Sequence, residues 1–181
     1  MLTAFFTLIY ILPCMGQWLL IPMDEKQTNH LRAYGLTYWT LQPPREYRSE
    51  WLLNYRYGSF LLTDRPEVRQ KAVLMGVYFE PIGNTELSLI RQEIEESNMD
   101  SVILEKAPKI AIYAPPEDTN YYRDPWDDAV KLALRYAEIP FDTLWDKEVI
   151  AGELEAKGYD WLHLHHEDFT GQMGKFYGVY K

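Results

Sequence analysis

From Lys109 to His165 short apolar runs alternate with helix-length amphipathic stretches, and this alternation limits the fold more than any other feature. KIAIYA (109–114), FDTLWD (141–146) and YDWLHLH (159–165) have strand length. Between the first two, Pro125 opens a stretch in which Trp126, Val130, Leu134 and Ala137 recur at helical spacing. Residues 147–157 read as a short helix between the second and third. Strand, helix, strand, helix, strand with such short connections argues a parallel sheet covered on both faces, with right-handed crossovers. The expected class is α/β: a three-layer, open, mostly parallel sheet. The residues at 179–181 offer no closing element, so further strands are expected to complete the sheet.

Residues 17–106 read as an N-terminal α/β segment, and 107–181 as the first βαβαβ part of a second unit that begins near Ala107-Pro108. WLLIPM (18–23) is a strand. Residues 24–41 follow as a helix with Leu31, Tyr34, Tyr38 and Leu41 inward, weakened by Gly35 and ended before Pro43-Pro44. WLLNY (51–55) and SFLLT (59–63) are strand pieces around a turn at 56–58. Asp64 is expected to cap a helix with Pro66 in its first turn, Val68, Ala72 and Met75 inward, and Gly76 as its stop. Residues 77–82 form the next strand, and Asn84 caps an acidic helix to Glu96 with Leu87, Ile90 and Ile94 inward.

The first sixteen residues, MLTAFFTLIYILPCMG, carry no charged side chain and are apolar from Phe5 to Leu12. Pro13 breaks the run, and small residues stand at Cys14 and Gly16 ahead of Gln17. This is the pattern of a secretory signal peptide over 1–16, which predicts an exported protein of the periplasm or cell envelope with no membrane span once the signal is removed. Read through to Met23, the run is long enough for a membrane anchor, the competing reading. Cys14 is the only cysteine, so the mature segment would hold no disulfide, thiolate metal site or thiol nucleophile. Eighteen basic against 27 acidic residues give a formal charge of −9 with no basic run, which excludes nucleic acid as an expected partner.

Ligands of open α/β sheets sit beyond the carboxyl ends of the strands. That rule selects the loop after Ala114, the segment after Trp145, and the run His163, His165, His166, Glu167 and Asp168. On a strand, His163 and His165 share a face, with His166 opening the loop beside two carboxylates. Imidazoles beside acids bind metal or move protons near neutral pH, with His163, His165 and Glu167 as the metal-ligand candidates. The same residues also read as pocket lining, or as strand-end histidines bonded to loop carbonyls and acids capping the turn before Gly171. Asp127, in DPWDD, either faces the strand ends or simply complements the helix dipole, and Asp24, just past the first strand, has the same two readings. The 14 tyrosines and 6 tryptophans suit carbohydrate stacking or core packing. There is no P-loop, G-x-G-x-x-G or G-x-S-x-G, so no cofactor is expected.

The phrases LIPMDEKQTNHLRAYGLTYW, WLLNYRYGSFLL, EKAPKIAIYAPP, PWDDAVKLALRYAEIPFDTLWDKEV and YDWLHLHHEDFTGQMGKFYG resemble the front part of an exported Bacteroidota family commonly labelled asparagine synthetase B. The resemblance spans nearly all of 18–181. It implies a class I glutamine-amidotransferase-like, flavodoxin-like fold whose nucleophile elbow lies beyond Lys181. Position 2 is Leu rather than the cysteine nucleophile of a glutamine-hydrolysing synthetase, and no Ser/Gly/Asp-rich ATP-pyrophosphatase loop is present. Two expectations follow. One is a binding role in the envelope, toward a small molecule or an envelope protein. The other is an enzyme: an amidotransferase, as the family label implies, or a metal-dependent hydrolase. The run H-x-H-H-E-D only partly resembles the H-x-H-x-D-H of metallo-β-lactamase-like hydrolases.

Overall fold

A computed structural model describes residues 17–114 and 129–164. The expected signal peptide, the loop after Ala114, the start of the helix around Asp127, and His165–Asp168 lie outside the described residues.

Residues 18–104 build a mixed layer structure on β1 (Trp18–Ile21), α1 (His30–Leu41), β2 (Ser49–Leu53), β3 (Phe60–Thr63), α2 (Pro66–Met75), β4 (Glu80–Ile82), α3 (Asn84–Glu96) and β5 (Asp100–Leu104). The strands lie in the order β4-β1-β3-β2-β5, and every neighbouring pair is antiparallel. In the paths β1–α1–β2 and β3–α2–β4 the chain returns with one strand interposed. This is a split βαβ pair, to which α3 and β5 are appended.

The mostly parallel sheet expected for the whole chain therefore fails over 17–104. The misleading signal was WLLI and SFLLT, continuous apolar runs that normally mark parallel strands buried on both sides. Here the burial has another origin. Leu19, Ile21, Phe60 and Leu62 face α1 and α2 with Ala33, Leu36, Val68, Ala72 and Met75, while Leu20, Leu52 and Leu61 face α3 with Ile90 and Ile94. Successive strand residues alternate between faces, so covering both faces calls for apolar residues at nearly every position of β1 and β3. Each such leucine, fully buried, contributes about 1.5–3 kcal/mol of burial free energy.

The helix expected over 24–41 begins only at His30. Asn29 caps it, accepting from the Arg32 N–H at 3.4 Å. The buried Gln27 side chain is meanwhile tied to the Tyr78 backbone through Tyr78 N–H to Oε1 at 3.1 Å and Nε2 to the Tyr78 carbonyl at 3.2 Å. The expected inward face of α1 is corrected in part: Leu31 and Tyr34 are exposed, while Leu41 is buried as expected, together with Ala33, Gly35, Leu36, Thr37 and Thr40. Small residues are inside because α1 is covered on two sides. In α2, Arg65 rather than Asp64 is the N-cap residue, and Asp64 instead takes a two-pronged bond from Arg69 at 2.7 and 2.5 Å. Gly76 ends the helix in the left-handed region at φ 65°. In α3, Gly83 holds the N-cap position expected of Asn84.

Residues 110–164 form the second sheet from β6 (Ile110–Tyr113), α4 (Ala129–Tyr136), β7 (Asp142–Leu144), α5 (Asp146–Ile150), α6 (Glu153–Ala156) and β8 (Trp161–Leu164). The order is β7-β6-β8, and both pairs are parallel. Asp160 fixes the start of β8 to that of β6, accepting from the Lys109 N–H at 2.8 Å and from the Lys106 ammonium.

The two sheets meet through α1 and α4. Tyr38 packs into the cluster of Ile110, Ile112, Ala114 and Leu134 and donates to the Pro108 carbonyl at 2.8 Å. A Cβ on Gly35 would stand 1.7 Å from the Ala137 carbonyl oxygen. The glycine that weakens α1 as an isolated helix is what lets the end of α4 reach it. Around this point Asn29 bonds Tyr136 at 3.0 Å, and Lys71 pairs with Glu138 at 2.6 Å.

Candidate functional site

Within the parallel sheet, β6 is central, with β7 on one side and β8 on the other. Successive connections thus run in opposite directions from β6, which creates a topological switch point between the carboxyl ends of β6 and β8. His163 pairs in register with Ile112, and Leu164 with Tyr113, so the imidazole stands one residue from that rim. Directly opposed residues share a face. His163 therefore lies on the α4 side with Ile110 and Ile112, while Leu162 and Leu164 lie on the other side. His163 is half-buried.

The neighbouring strand ends add an aromatic and acidic group. Tyr113, the last residue of β6, stacks on Trp145, just past β7, with ring centroids 4.9 Å apart and planes at 25°. The Tyr113 hydroxyl donates to Asp146, the first residue of α5. Glu148 accepts the Trp145 N–H at 3.1 Å, which fixes the turn from strand to helix. A ring pair with a hydrogen-bonded carboxylate can bind a planar or hydroxylated group by stacking and hydrogen bonding together.

Of the residues selected from sequence, His165, His166, Glu167, Asp168 and Asp127 lie outside the described residues. The remaining two, His163 and Asp24, belong to different sheets. Asp24 follows β1, where it accepts from the Lys26 N–H at 3.0 Å and from Arg56 Nε at 2.5 Å. Arg56 also holds both oxygens of Glu80, at 2.9 and 3.2 Å, and Lys26 reaches Glu80 at 3.0 Å. The Arg56 hydrogen bonds hold the Asp24 and Glu80 carboxyls below their usual range, and those same carboxylates raise the guanidinium pKa. With its charge and donors so committed, this group reads as a clamp that ties the β2–β3 turn to β1 and β4. Among the described residues no three or more His, Cys, Asp or Glu side chains are grouped to hold a metal ion.

Sequence reasoning missed Tyr113, Trp145 and Asp146 as a unit. The segment after Trp145 was selected by rule, but the partner ring on β6 is 32 residues away, and only strand pairing reveals it. The described hollows lie elsewhere. One of about 140 Å³ is lined by Tyr38, Lys109, Ile110, Pro140, Phe141 and Asp142, at the amino ends of β6 and β7. No protein-family model, curated protein or solved structure matches this chain.

Proposed function

We propose that the chain is an exported, glutamine-amidotransferase-like α/β protein that binds a small molecule at the carboxyl rim of its parallel sheet and serves a binding role in the cell envelope. The observation that carries this reading is the strand order β7-β6-β8, with His163 of β8 beside the switch point. The Tyr113–Trp145 stack and Asp146 lie at the same rim, with Tyr113 on the sheet face opposite His163, and support it because they supply a flat apolar surface and an oriented acid. In sequence, His165, His166, Glu167 and Asp168 follow directly from β8. The layered fold is the resemblance's implication, and export rests on the apolar segment 1–16; among the described residues no helix is long and apolar enough to cross a membrane.

The test is a backbone-amide NMR titration with amino acids, their amides, simple sugars and Zn²⁺, alongside an assay of ammonia release from L-glutamine. The expected result is saturable shifts confined to 112–114, 144–146 and 161–164 for at least one compound, abolished by a His163→Ala/Trp145→Ala double variant, with no ammonia released. Shifts only at other positions, or none with any compound, overturn the binding site. Ammonia release lost in His163→Ala replaces binding by catalysis.

A further inference from the structure

The two edges of the five-stranded sheet are built differently. β4 is three residues long and carries Pro81, which has no N–H to offer. A short edge with proline is a standard protection against strand addition. At the other edge, β5 is five residues long, contains no proline, and leaves Val102 and Ile103 41% and 56% exposed. Among the described residues no strand pairs with its outer side.

Which backbone groups of β5 are free follows from the ladder. Leu52 donates to the Ser59 carbonyl at 2.8 Å, and Thr63 donates to the Arg48 carbonyl at 3.3 Å. Residues 48, 50 and 52 therefore turn their backbone groups toward β3, and 49, 51 and 53 turn theirs toward β5, since the direction alternates along a strand. Register then assigns Asp100, Val102 and Leu104 as the inward-bonding residues of β5, opposite Leu53, Trp51 and Ser49. Ile103 is left with an outward N–H and C=O, and Ser101 with an outward C=O, its N–H donating to Asp100 Oδ1 at 2.7 Å.

We propose that this edge is a dimer interface, on which β5 pairs antiparallel with β5 of a second copy about a two-fold axis at Ile103. Two registers bring outward groups together with an axis inside the exposed stretch. Centred on Val102, Asp100 falls opposite the partner's Leu104, and a carboxylate meets an apolar side chain. Centred on Ile103, Ile103 exchanges N–H and C=O with the partner's Ile103, and Asp100 falls opposite the partner's Lys106, once on each side of the axis. Only the second register matches charge. The Lys106 side chain is 68% exposed, and its ammonium bonds Asp160 with one of three donors, leaving two for the partner's Asp100. The occupant is thus a second copy, because the edge is complementary to itself.

Sedimentation velocity on the chain, from micromolar to several hundred micromolar, reads the proposal directly. A concentration-dependent dimer is expected. Ile103→Pro removes an outward donor without breaking the bonds to β2, so it should give a monomer with an unchanged melting temperature. Ile103→Lys does the same by charge repulsion if the proline variant fails to fold. Asp100→Lys should weaken the dimer roughly tenfold, and Asp100→Lys with Lys106→Asp should restore it. A wild-type chain that stays monomeric throughout, or a dimer that survives Ile103→Lys, overturns the interface. Failure of the double variant to recover overturns the Ile103-centred register.

Discussion

In the five-stranded sheet both faces are roofed, by α1 and α2 on one side and α3 on the other, and the buried acid Glu50 is fully partnered. In the three-stranded sheet β8 leaves Trp161 and Leu164 in solvent, and the polar groups cluster at the strand ends. Both regions are written in similar apolar runs. What separates them is the connection: a tight turn between β2 and β3 forces antiparallel pairing, while helices between β6, β7 and β8 force parallel pairing. Antiparallel pairing spreads loops over both ends of a sheet, whereas parallel pairing gathers all carboxyl ends at one rim. The first region is therefore a core covered on both faces, and the second gathers its strand ends at the one rim where the proposed ligand site lies.

The sharpest way to break the covered core is to remove Arg91. Glu50, on the α3 face of β2, is almost fully buried, and Arg91 of α3 and Ser101 of β5 bond its Oε2 while Arg48 bonds Oε1 at 3.0 Å. Burial alone would push this carboxyl up, but the Arg91 hydrogen bond and charge, helped by Ser101 and Arg48, hold it below the usual range. Arg91→Ala should cost about 3–5 kcal/mol in urea unfolding, because it strands a buried charge. A loss below about 1 kcal/mol would show that Arg48 and Ser101 suffice for Glu50.

Gly35→Ala tests the junction instead. Overpacking at a backbone contact should cost about 1–3 kcal/mol. Hydrogen exchange should quicken in 129–139 while β1 and β3 stay protected, which separates the two regions. Equal loosening of both would mean that they unfold as one unit.

Arg56→Gln loosens the clamp on Asp24 and Glu80 and should cost about 1–2 kcal/mol, since the groups are partly exposed and charge-assisted bonds there are discounted by solvent. Its pH signature has a definite sign. Asp24, Glu80 and Glu50 have folded pKa values below their unfolded ones, so their contribution is fully present above the unfolded carboxylate pKa of about 4 and is lost as pH falls through the lower folded values. Wild-type stability should drop below pH of about 4, and the variant's curve should be flatter there. An unchanged slope would remove the clamp from the acid response. Smallest of all, Lys26→Ala deletes an exposed partner of Glu80 and should leave the urea midpoint unchanged.

How far the sequence reveals this arrangement depends on the range of the contacts. Features set by neighbours three or four residues apart read well: Val68, Ala72 and Met75 face inward, Gly76 stops α2, and Ile90 and Ile94 bury α3. Strand direction over 17–104 did not, because two-sided burial writes the same apolar run whether its cause is parallel pairing or a second helical layer. β5 carries no clear local signal: DSVIL mixes polar and apolar residues and, at an edge, is largely exposed. Tyr113 with Trp145, and Arg56 with Glu80, are partners made by topology alone. No local pattern announces them.

α1 has a consequence beyond its own packing. One helix gives Ala33 and Leu36 to one core and Tyr38 to the other, with Gly35 at the crossing. Neither half can be exchanged as a cassette for that of another protein without rewriting this shared wall. Substitutions accumulating on either side of it must be accepted together or not at all.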